Sequence, residues 1–302
     1  MTTTMLTADD SAFKALFPNK PFRIQHKLAG DPRLTLPAIL ELVKALPRDR
    51  IEYNSGKANV SQDPSSTPLV DLDPEDVVSQ IETAGAWMVL KRVEHHPVYK
   101  ALLEEALASV AIAQGYKSAR DARFTDIQGF MFVSSPNSTT PFHLDSEDNF
   151  FVQVHGDKQF SIYDNEDRKI ASEDTIEYAI TKHRNIKYDD KFEPKAMHNK
   201  LKPGEGVFVP YLWPHWVKTF DSYSISVAIT WKTKTVKRRN DPQGVMSAAV
   251  AGLSVREAQA IAVWLQRQDA ARPPDNDAAS VSAARAAAER WAAFRGGRRP
   301  DR

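Results

Sequence analysis

Hydrophobic residues follow two different rhythms along the chain, and the first is helical. The clearest helical stripe consists of Leu36, Ile39, Leu40, Val43 and Leu46. Pro47 ends this helix. A second helix is predicted to open at Asp73, where Pro74 and two acids suit a first turn, and a third to cover residues 97–114. We therefore predict that residues 1–123 are mixed and largely helical.

From about residue 124 the rhythm changes to short strands. They are predicted at residues 129–133, 149–154, 159–163, 206–210 and 224–231. A turn centred on Gly156 separates the second from the third, which predicts a β-hairpin. The last strand alternates small polar with large apolar residues, which predicts a half-buried strand with Ser226, Ala228 and Thr230 on one face. Many short strands separated by turns indicate a barrel or a sandwich.

Beyond Lys232 the composition shifts again. A basic run covers 232–239, a capping-box sequence at Ser254 leads into a helix that ends near 268, and an alanine-rich helix is predicted over 282–294. We expect the end of the chain to be disordered. The predicted organisation is a helical region over 1–123 that packs on a barrel, the barrel over 124–232, and a helical tail over 233–302.

Composition narrows the chemistry that the chain can perform. It has 302 residues, a formal net charge of +1 and no cysteine. Disulfides, thiolate zinc sites, iron–sulfur clusters and a cysteine nucleophile are therefore excluded, and any metal must use histidine and carboxylate ligands. The balanced charge argues against a nucleic-acid partner. Neither a signal-peptide pattern nor an apolar run of about 18 residues is present, so we expect a cytoplasmic protein without membrane attachment.

One set of side chains could hold a metal ion. His143 and Asp145 are two residues apart, so their side chains point the same way if the segment is extended. His215 can join them only if its strand packs beside the first. Two imidazoles and one carboxylate suit ferrous iron and leave positions open for other ligands. Taken alone, the pair is a weak signal, because a surface histidine and a turn aspartate would give the same pattern.

The context of this pair strengthens the metal hypothesis. The segments concerned are 140–145, which reads TPFHLD, then 149–151 (NFF), 156–158 (GDK), 203–210 (PGEGVFVP) and 213–215 (WPH). In this order and spacing they resemble the JmjC-type, cupin-like family of iron(II)/2-oxoglutarate oxygenases, nearest to the factor-inhibiting asparaginyl hydroxylase branch. The resemblance covers about residues 129–231. One departure is that the branch usually has an asparagine near Ala228 or Ile229, where this chain offers only Ser226, Ala228 and Thr230.

The resemblance implies a fold and a set of roles. The fold is a mostly β core, a double-stranded β-helix (a jelly-roll or cupin-like barrel) with N-terminal and C-terminal helices and iron(II) at its mouth. His143, Asp145 and His215 match the metal ligands. Three further residues match the site of the cosubstrate 2-oxoglutarate: Lys158 and Thr140 at its distal carboxylate, and Asn149 near the cosubstrate and the metal.

These cosubstrate roles also have a physical rationale. A dianionic cosubstrate in a narrow barrel needs a fixed cation, and Lys158 follows a glycine turn, so its side chain can point inward. The alternatives are a solvated hairpin lysine, an ordinary strand hydroxyl at Thr140 and a turn amide at Asn149.

The family reaction is oxidative decarboxylation of 2-oxoglutarate to succinate and carbon dioxide, coupled to hydroxylation of a prime substrate. A peptide side chain, an amino acid or a small metabolite would suit this chemistry. Two alternatives stay open: an N-demethylase, and a metal-binding cupin-like regulatory module without turnover. The C-terminal helices could join two copies into a homodimer, as they do in the branch resembled.

Overall fold

The computed structural model describes residues 4–181 and 184–232, which form twelve β-strands and five α-helices. The helices are α1 (Asp10–Leu16), α2 (Leu36–Ala45), α3 (Pro74–Ser79), α4 (Pro97–Ala113) and α5 (Glu173–Thr181). The first six strands are β1 (Leu6–Ala8), β2 (Phe22–His26), β3 (Ile51–Ser55), β4 (Ala86–Lys91), β5 (Gln128–Ser134) and β6 (Thr139–His143). The others are β7 (Asp148–His155), β8 (Lys158–Ile162), β9 (Met197–Leu201), β10 (Glu205–Val209), β11 (His215–Thr219) and β12 (Ser224–Trp231). Helices α2, α3 and α4 and the strands β5, β7, β8, β10 and β12 confirm elements predicted from the sequence.

Two antiparallel sheets form the core. The larger has the strand order β1-β2-β10-β7-β12-β5-β4-β3, and the smaller has the order β6-β11-β8-β9. From β5 to β12 the chain passes back and forth between the sheets, with only β8 and β9 consecutive in one of them. Apolar side chains of both inner faces meet, as where the Phe151 and Phe160 rings lie 4.7 Å apart. This arrangement is the double-stranded β-helix, and the predicted fold class is confirmed.

The predicted hairpin across Gly156 is wrong. Strand β7 pairs with β10 and β12, whereas β8 pairs with β9 and β11 in the other sheet. Because β7 already has a neighbour on each edge, it has no edge left for β8. The predicted turn itself is present, and Gly156 adopts a φ of +69° in it. This turn leads the chain from one sheet to the other.

Strand β12 is buried along its whole length, so the half-buried prediction is wrong as well. Ser226, Ala228 and Thr230 share one face as predicted, and Ala228 belongs to the apolar cluster of the interior. Its large residues Ile225, Val227 and Ile229 belong to the same buried hydrophobic cluster as Leu102 and Leu103 of α4. The helical layer therefore covers the face that the alternating pattern left unassigned.

The N-terminal region supplies four strands as well as helices. Strands β1 and β2 extend the large sheet beside β10, and β3 and β4 extend it beside β5. These four strands, which are three to six residues long, were not predicted from the sequence. The division of the chain at residues 123 and 232 stays a prediction. The basic run beyond Lys232, the helices predicted over 254–268 and 282–294 and the disordered end lie outside the described residues.

Residues 166–184, which include α5, belong to a second unit, whereas residues up to 165 and 185–232 belong to the first. None of the helices in the described ranges is both long and apolar enough to cross a lipid bilayer.

Two glycines with positive φ provide a matched test of the corner between the sheets. A Cβ at Gly156 would overlap the Tyr223 carbonyl oxygen, whereas a Cβ at Gly30 (φ +83°) would meet no atom within 4 Å. Gly30→Ala should therefore cost only the backbone strain of about 1–2 kcal/mol. Gly156→Ala should cost on the order of 1–3 kcal/mol more, because the backbone must also move. Urea unfolding of both variants measures the difference, and equal losses would contradict the close approach.

Candidate functional site

Three potential metal ligands meet at one end of the barrel. One donor atom from each of His143, Asp145 and His215 lies within 4.8 Å of the others. The Asp145 Oδ2 atom is 3.5 Å from His215 Nε2 and 3.9 Å from His143 Nε2. The structure thus brings together the three residues that the sequence singled out.

Strand register explains the position of the two histidines. His143 is the last residue of β6, His215 is the first of β11, and the two are directly opposite in the antiparallel pair. Asp145 lies two residues beyond the end of β6, not on an extended strand as the spacing argument assumed. Its backbone carbonyl accepts a hydrogen bond of 2.9 Å from the Leu212 N–H, which ties it to the segment that enters β11.

Backbone carbonyls fix both imidazoles in one tautomer. His143 Nδ1 is 2.7 Å from the Pro141 carbonyl oxygen, and His215 Nδ1 is 2.8 Å from that of Trp213. Because a carbonyl oxygen can only accept, each Nδ1 carries the hydrogen and donates it. Each Nε2 then keeps its lone pair on the side of Asp145, which is the state in which histidine binds metals.

The cluster is closed on the barrel side and open on the other. The His215 side chain is 3% exposed, whereas those of His143 and Asp145 are 16% and 20% exposed. The Phe160 ring stacks on His215 from inside the barrel, with centroids 4.9 Å apart. A metal ion held here would keep coordination positions on its exposed side for exchangeable ligands.

Lys158 is buried inside the barrel. It begins β8, on the same strand face as Phe160, and its Nζ lies 5.6 Å from the centre of the Phe151 ring. The amine donates a hydrogen bond of 2.7 Å to Ser226 Oγ. Burial lowers the pKa of Lys158 from 10.5 to about 7. A solvated hairpin lysine, the alternative raised by the sequence, does not match this environment.

A β-bulge turns Thr140 toward the same interior. His215 pairs with His143, and Val217 pairs with Thr140. A step of two positions along β11 is therefore matched by a step of three positions along β6. The extra residue shifts the alternation of β6 by one. As a result Thr140 and His143, three apart in sequence, lie on one face together with the interior residue Val217.

Asn149 presents a polar atom without a partner to the interior. It is 3% exposed and lies on β7 two residues before Phe151, on the same inner face. Among the described residues, its buried Oδ1 has no hydrogen-bond partner. Buried acceptors are almost always satisfied, so this oxygen marks a place where a donor or a cation fits.

Two polar residues behind Lys158 were not identified as site residues from the sequence. Ser226 contacts Lys158 directly, and Gln153 contacts Ser226. The sequence pattern places Ser226 on one face of a strand but gives it no role. Gln153 could have been noticed in the sequence because it is the one polar residue in the segment 150–154.

Comparison with known proteins identifies a family and a shared fold. A model of the cupin-like domain family matches residues 47–237. The solved structure of ycfD from E. coli has 14% sequence identity and a TM-score of 0.50, covering 95% of this chain and 68% of that one. Another structure, of the Escherichia coli ribosomal oxygenase YcfD, has 14% identity, a TM-score of 0.48 and coverages of 95% and 67%. YcfD in complex with cobalt and 2-oxoglutarate has 15% identity, a TM-score of 0.46 and the same coverages.

No curated protein sequence matches the chain. At 14% identity, the structural likeness to ycfD supports a common fold and nothing finer.

The burial of Lys158 predicts a pH-dependent stability. With a folded pKa near 7 and an unfolded pKa of 10.5, the unfolded chain binds more protons between these values, so this group makes stability rise with pH there. Lys158→Met removes the buried amine and should stabilise the protein by on the order of 2–4 kcal/mol below pH 7. The gain should shrink toward pH 10.5. Urea unfolding near both ends of this range measures it.

Lys200→Met is the matched control, because the Lys200 side chain is 59% exposed. Its effect on unfolding should not vary with pH in this way. A gain for Lys158→Met that is equally large at both ends of the range would argue against a buried amine with a lowered pKa.

Proposed function

The chain belongs to the cupin-like domain family, and from this membership we propose that it is an iron(II)- and 2-oxoglutarate-dependent oxygenase. The observation that supports the proposal is the pairing of two features in one barrel. A cluster of two histidines and one aspartate lies at the mouth, and a buried lysine amine lies on the inner face behind it. A 2-oxo dicarboxylic acid needs both features, since one end chelates a metal and the other requires a cation.

The donor set suits the metal. His143, Asp145 and His215 would hold iron(II), because imidazole and carboxylate ligands with open positions are typical of non-haem ferrous sites. Bound iron(II) and 2-oxoglutarate supply the oxygen chemistry that forms succinate and carbon dioxide and hydroxylates the prime substrate. The unsatisfied Oδ1 of Asn149 supports a place for this residue beside the cosubstrate or a metal-bound water.

The interior suits the distal carboxylate. Lys158 and Thr140 would donate charge-assisted and neutral hydrogen bonds to it. The walls around them are apolar and are formed by Phe151, Phe160, Val207, Val217 and Ala228. Such walls exclude water, so the ammonium and the carboxylate attract each other more strongly than they would in solvent.

Within the family, the spacing of Thr140, His143, Asp145, Asn149 and Lys158 supports the factor-inhibiting asparaginyl hydroxylase branch. We propose hydroxylation of a peptide side chain, an amino acid or a small metabolite. N-demethylation would use the same residues for the metal and the cosubstrate. A cytoplasmic location and a homodimer through the C-terminal helices stay predictions, and those helices lie outside the described residues.

Anaerobic titration with iron(II) and 2-oxoglutarate tests the proposal. Chelation should produce a visible charge-transfer absorption band, and admission of oxygen should release succinate. His143→Ala should lose both, because one of three ligands is gone. His198→Ala is the control, since His198 is bonded to Ser161 and Glu193 and is not part of the cluster. A protein that binds zinc but neither gives the band nor releases succinate would instead be a non-catalytic module.

Lys158→Met separates cosubstrate binding from metal binding. Hydrogen bonds to a charged group contribute about 1.5–3 kcal/mol, so the affinity for 2-oxoglutarate should fall roughly 10- to 100-fold. The affinity for iron(II) should not change, because the amine is bonded to Ser226 and not to a metal ligand. Anaerobic calorimetry measures both affinities. An equal loss of iron affinity would indicate damage to the barrel instead.

A further inference from the structure

A line of buried polar side chains crosses the barrel interior behind the metal cluster. Lys158 Nζ on β8 donates to Ser226 Oγ on β12 at 2.7 Å, and Ser226 Oγ donates to Gln153 Oε1 on β7 at 2.7 Å. Ser226 and Gln153 are cross-strand partners. Their exposures are 3% for Lys158 and 0% for the other two. The line therefore joins the smaller sheet to the larger one without contact with solvent.

The direction of this line is fixed at Gln153. The two N–H groups of its side-chain Nε2 face three acceptors: the carbonyl oxygens of His155 (2.6 Å) and Gly156 (2.8 Å) and Ser224 Oγ (2.9 Å). Because the two carbonyls can only accept, the amide cannot be flipped, and Oε1 must face Ser226. The single hydroxyl hydrogen of Ser226 is then committed to Gln153, and an oxygen lone pair faces the amine of Lys158.

The direction of these hydrogen bonds favours the charged form of Lys158. An ammonium has only donors, so it is matched by a neighbour that can only accept, whereas a neutral amine would leave its own lone pair unused. Hydrogen bonding to the charged form opposes the effect of burial on a pKa. The line is also neutral, so the positive charge of Lys158 is not cancelled within the protein.

No ion pair competes for Lys158 within the described residues. Burial is the only cause of its lowered pKa, so no charged neighbour contributes. Titratable groups on the surrounding elements are engaged elsewhere: Asp157 with Lys200, His155 with the Tyr223 ring, and His26 with the Gln153 and Glu205 carbonyls. The other side chains beside Lys158 are uncharged: Phe151, Leu201 and Thr219.

We propose that Gln153 and Ser226 are positioning residues that hold the Lys158 amine in place, and in its charged form, for the distal carboxylate of the cosubstrate. This inference rests on the proposed function, since it assumes that Lys158 receives a carboxylate. Neither residue needs to touch the cosubstrate itself. Their effect reaches it through the charge and the orientation of Lys158.

The first test uses metal-free protein. In the full chain with isotope-labelled lysine, NMR detects protonation of Lys158 as a function of pH. Ser226→Ala removes the acceptor and should lower the pKa of Lys158 by about one unit below that of the native protein. Gln153→Glu places a carboxylate at the end of the line and should raise it. Ser161→Ala is the matched control, because Ser161 is also a buried serine but bonds to His198, and it should leave Lys158 unchanged.

The second test uses zinc-loaded protein and measures 2-oxoglutarate binding by calorimetry, without turnover. Ser226→Ala should weaken binding about tenfold near pH 8.5, where most Lys158 must gain a proton to bind, and by clearly less near pH 6. Ser226→Thr keeps the hydroxyl and should restore most of the affinity. Zinc affinity should be the same in all variants. Gln153→Glu should weaken binding at both pH values, because its carboxylate competes for the ammonium.

Two results would overturn the inference. One is an unchanged pKa of Lys158 in Ser226→Ala, and the other is a loss of affinity by the same factor at both pH values. Either would assign Ser226 and Gln153 a purely structural role. If the native zinc-loaded protein does not bind 2-oxoglutarate, the proposed function fails, yet the metal-free titration still decides whether the line sets the charge of Lys158.

Discussion

The antiparallel register between β6 and β11 determines the site. It places His143 opposite His215, and the bulge in β6 adds Thr140 to the same face. A slip by one residue would turn every side chain of β6 to the other face and dissolve the cluster. The backbone also orients what the register brings together, since carbonyl groups fix both imidazoles and the Leu212 N–H holds the Asp145 segment. Main-chain hydrogen bonds thus involve all three potential ligands.

Polar groups inside this barrel lower its stability. An amine buried among apolar residues and an amide oxygen without a partner both lose hydration that the folded protein does not fully replace. Lys158 is compensated by one serine, and Asn149 Oδ1 by none of the described residues. Hydrophobic residues would pack at these positions at lower cost. The buried Lys158 amine and Asn149 Oδ1 therefore fit a site that becomes more stable when a charged ligand binds in it.

Local patterns in the sequence were enough to predict much of the fold. Strands β5, β7, β8, β10 and β12 and helices α2 and α4 were found because each has a clear period of its own. The predictions that were wrong concerned strand pairing and burial, which depend on residues distant in sequence. The Gly156 turn does not specify which strands pair, and the alternation of β12 does not reveal that its apolar face joins the hydrophobic cluster that also contains α4 residues. The resemblance assigned Lys158 a role, but Gln153 acquires significance only once β7 lies beside β12.

Strand β12 lies between β5 and β7, and both of its faces are buried. During translation, β5 and β7 therefore leave the ribosome long before the strand that separates them in the sheet exists. Until Trp231 has emerged, the backbone edges that β5 and β7 turn toward β12 lack their partner. Folding dominated by such distant pairings is slow and leaves strands open to aggregation. The pairing that joins β5 to β7 through β12 is thus among the last to become possible as the chain is synthesised.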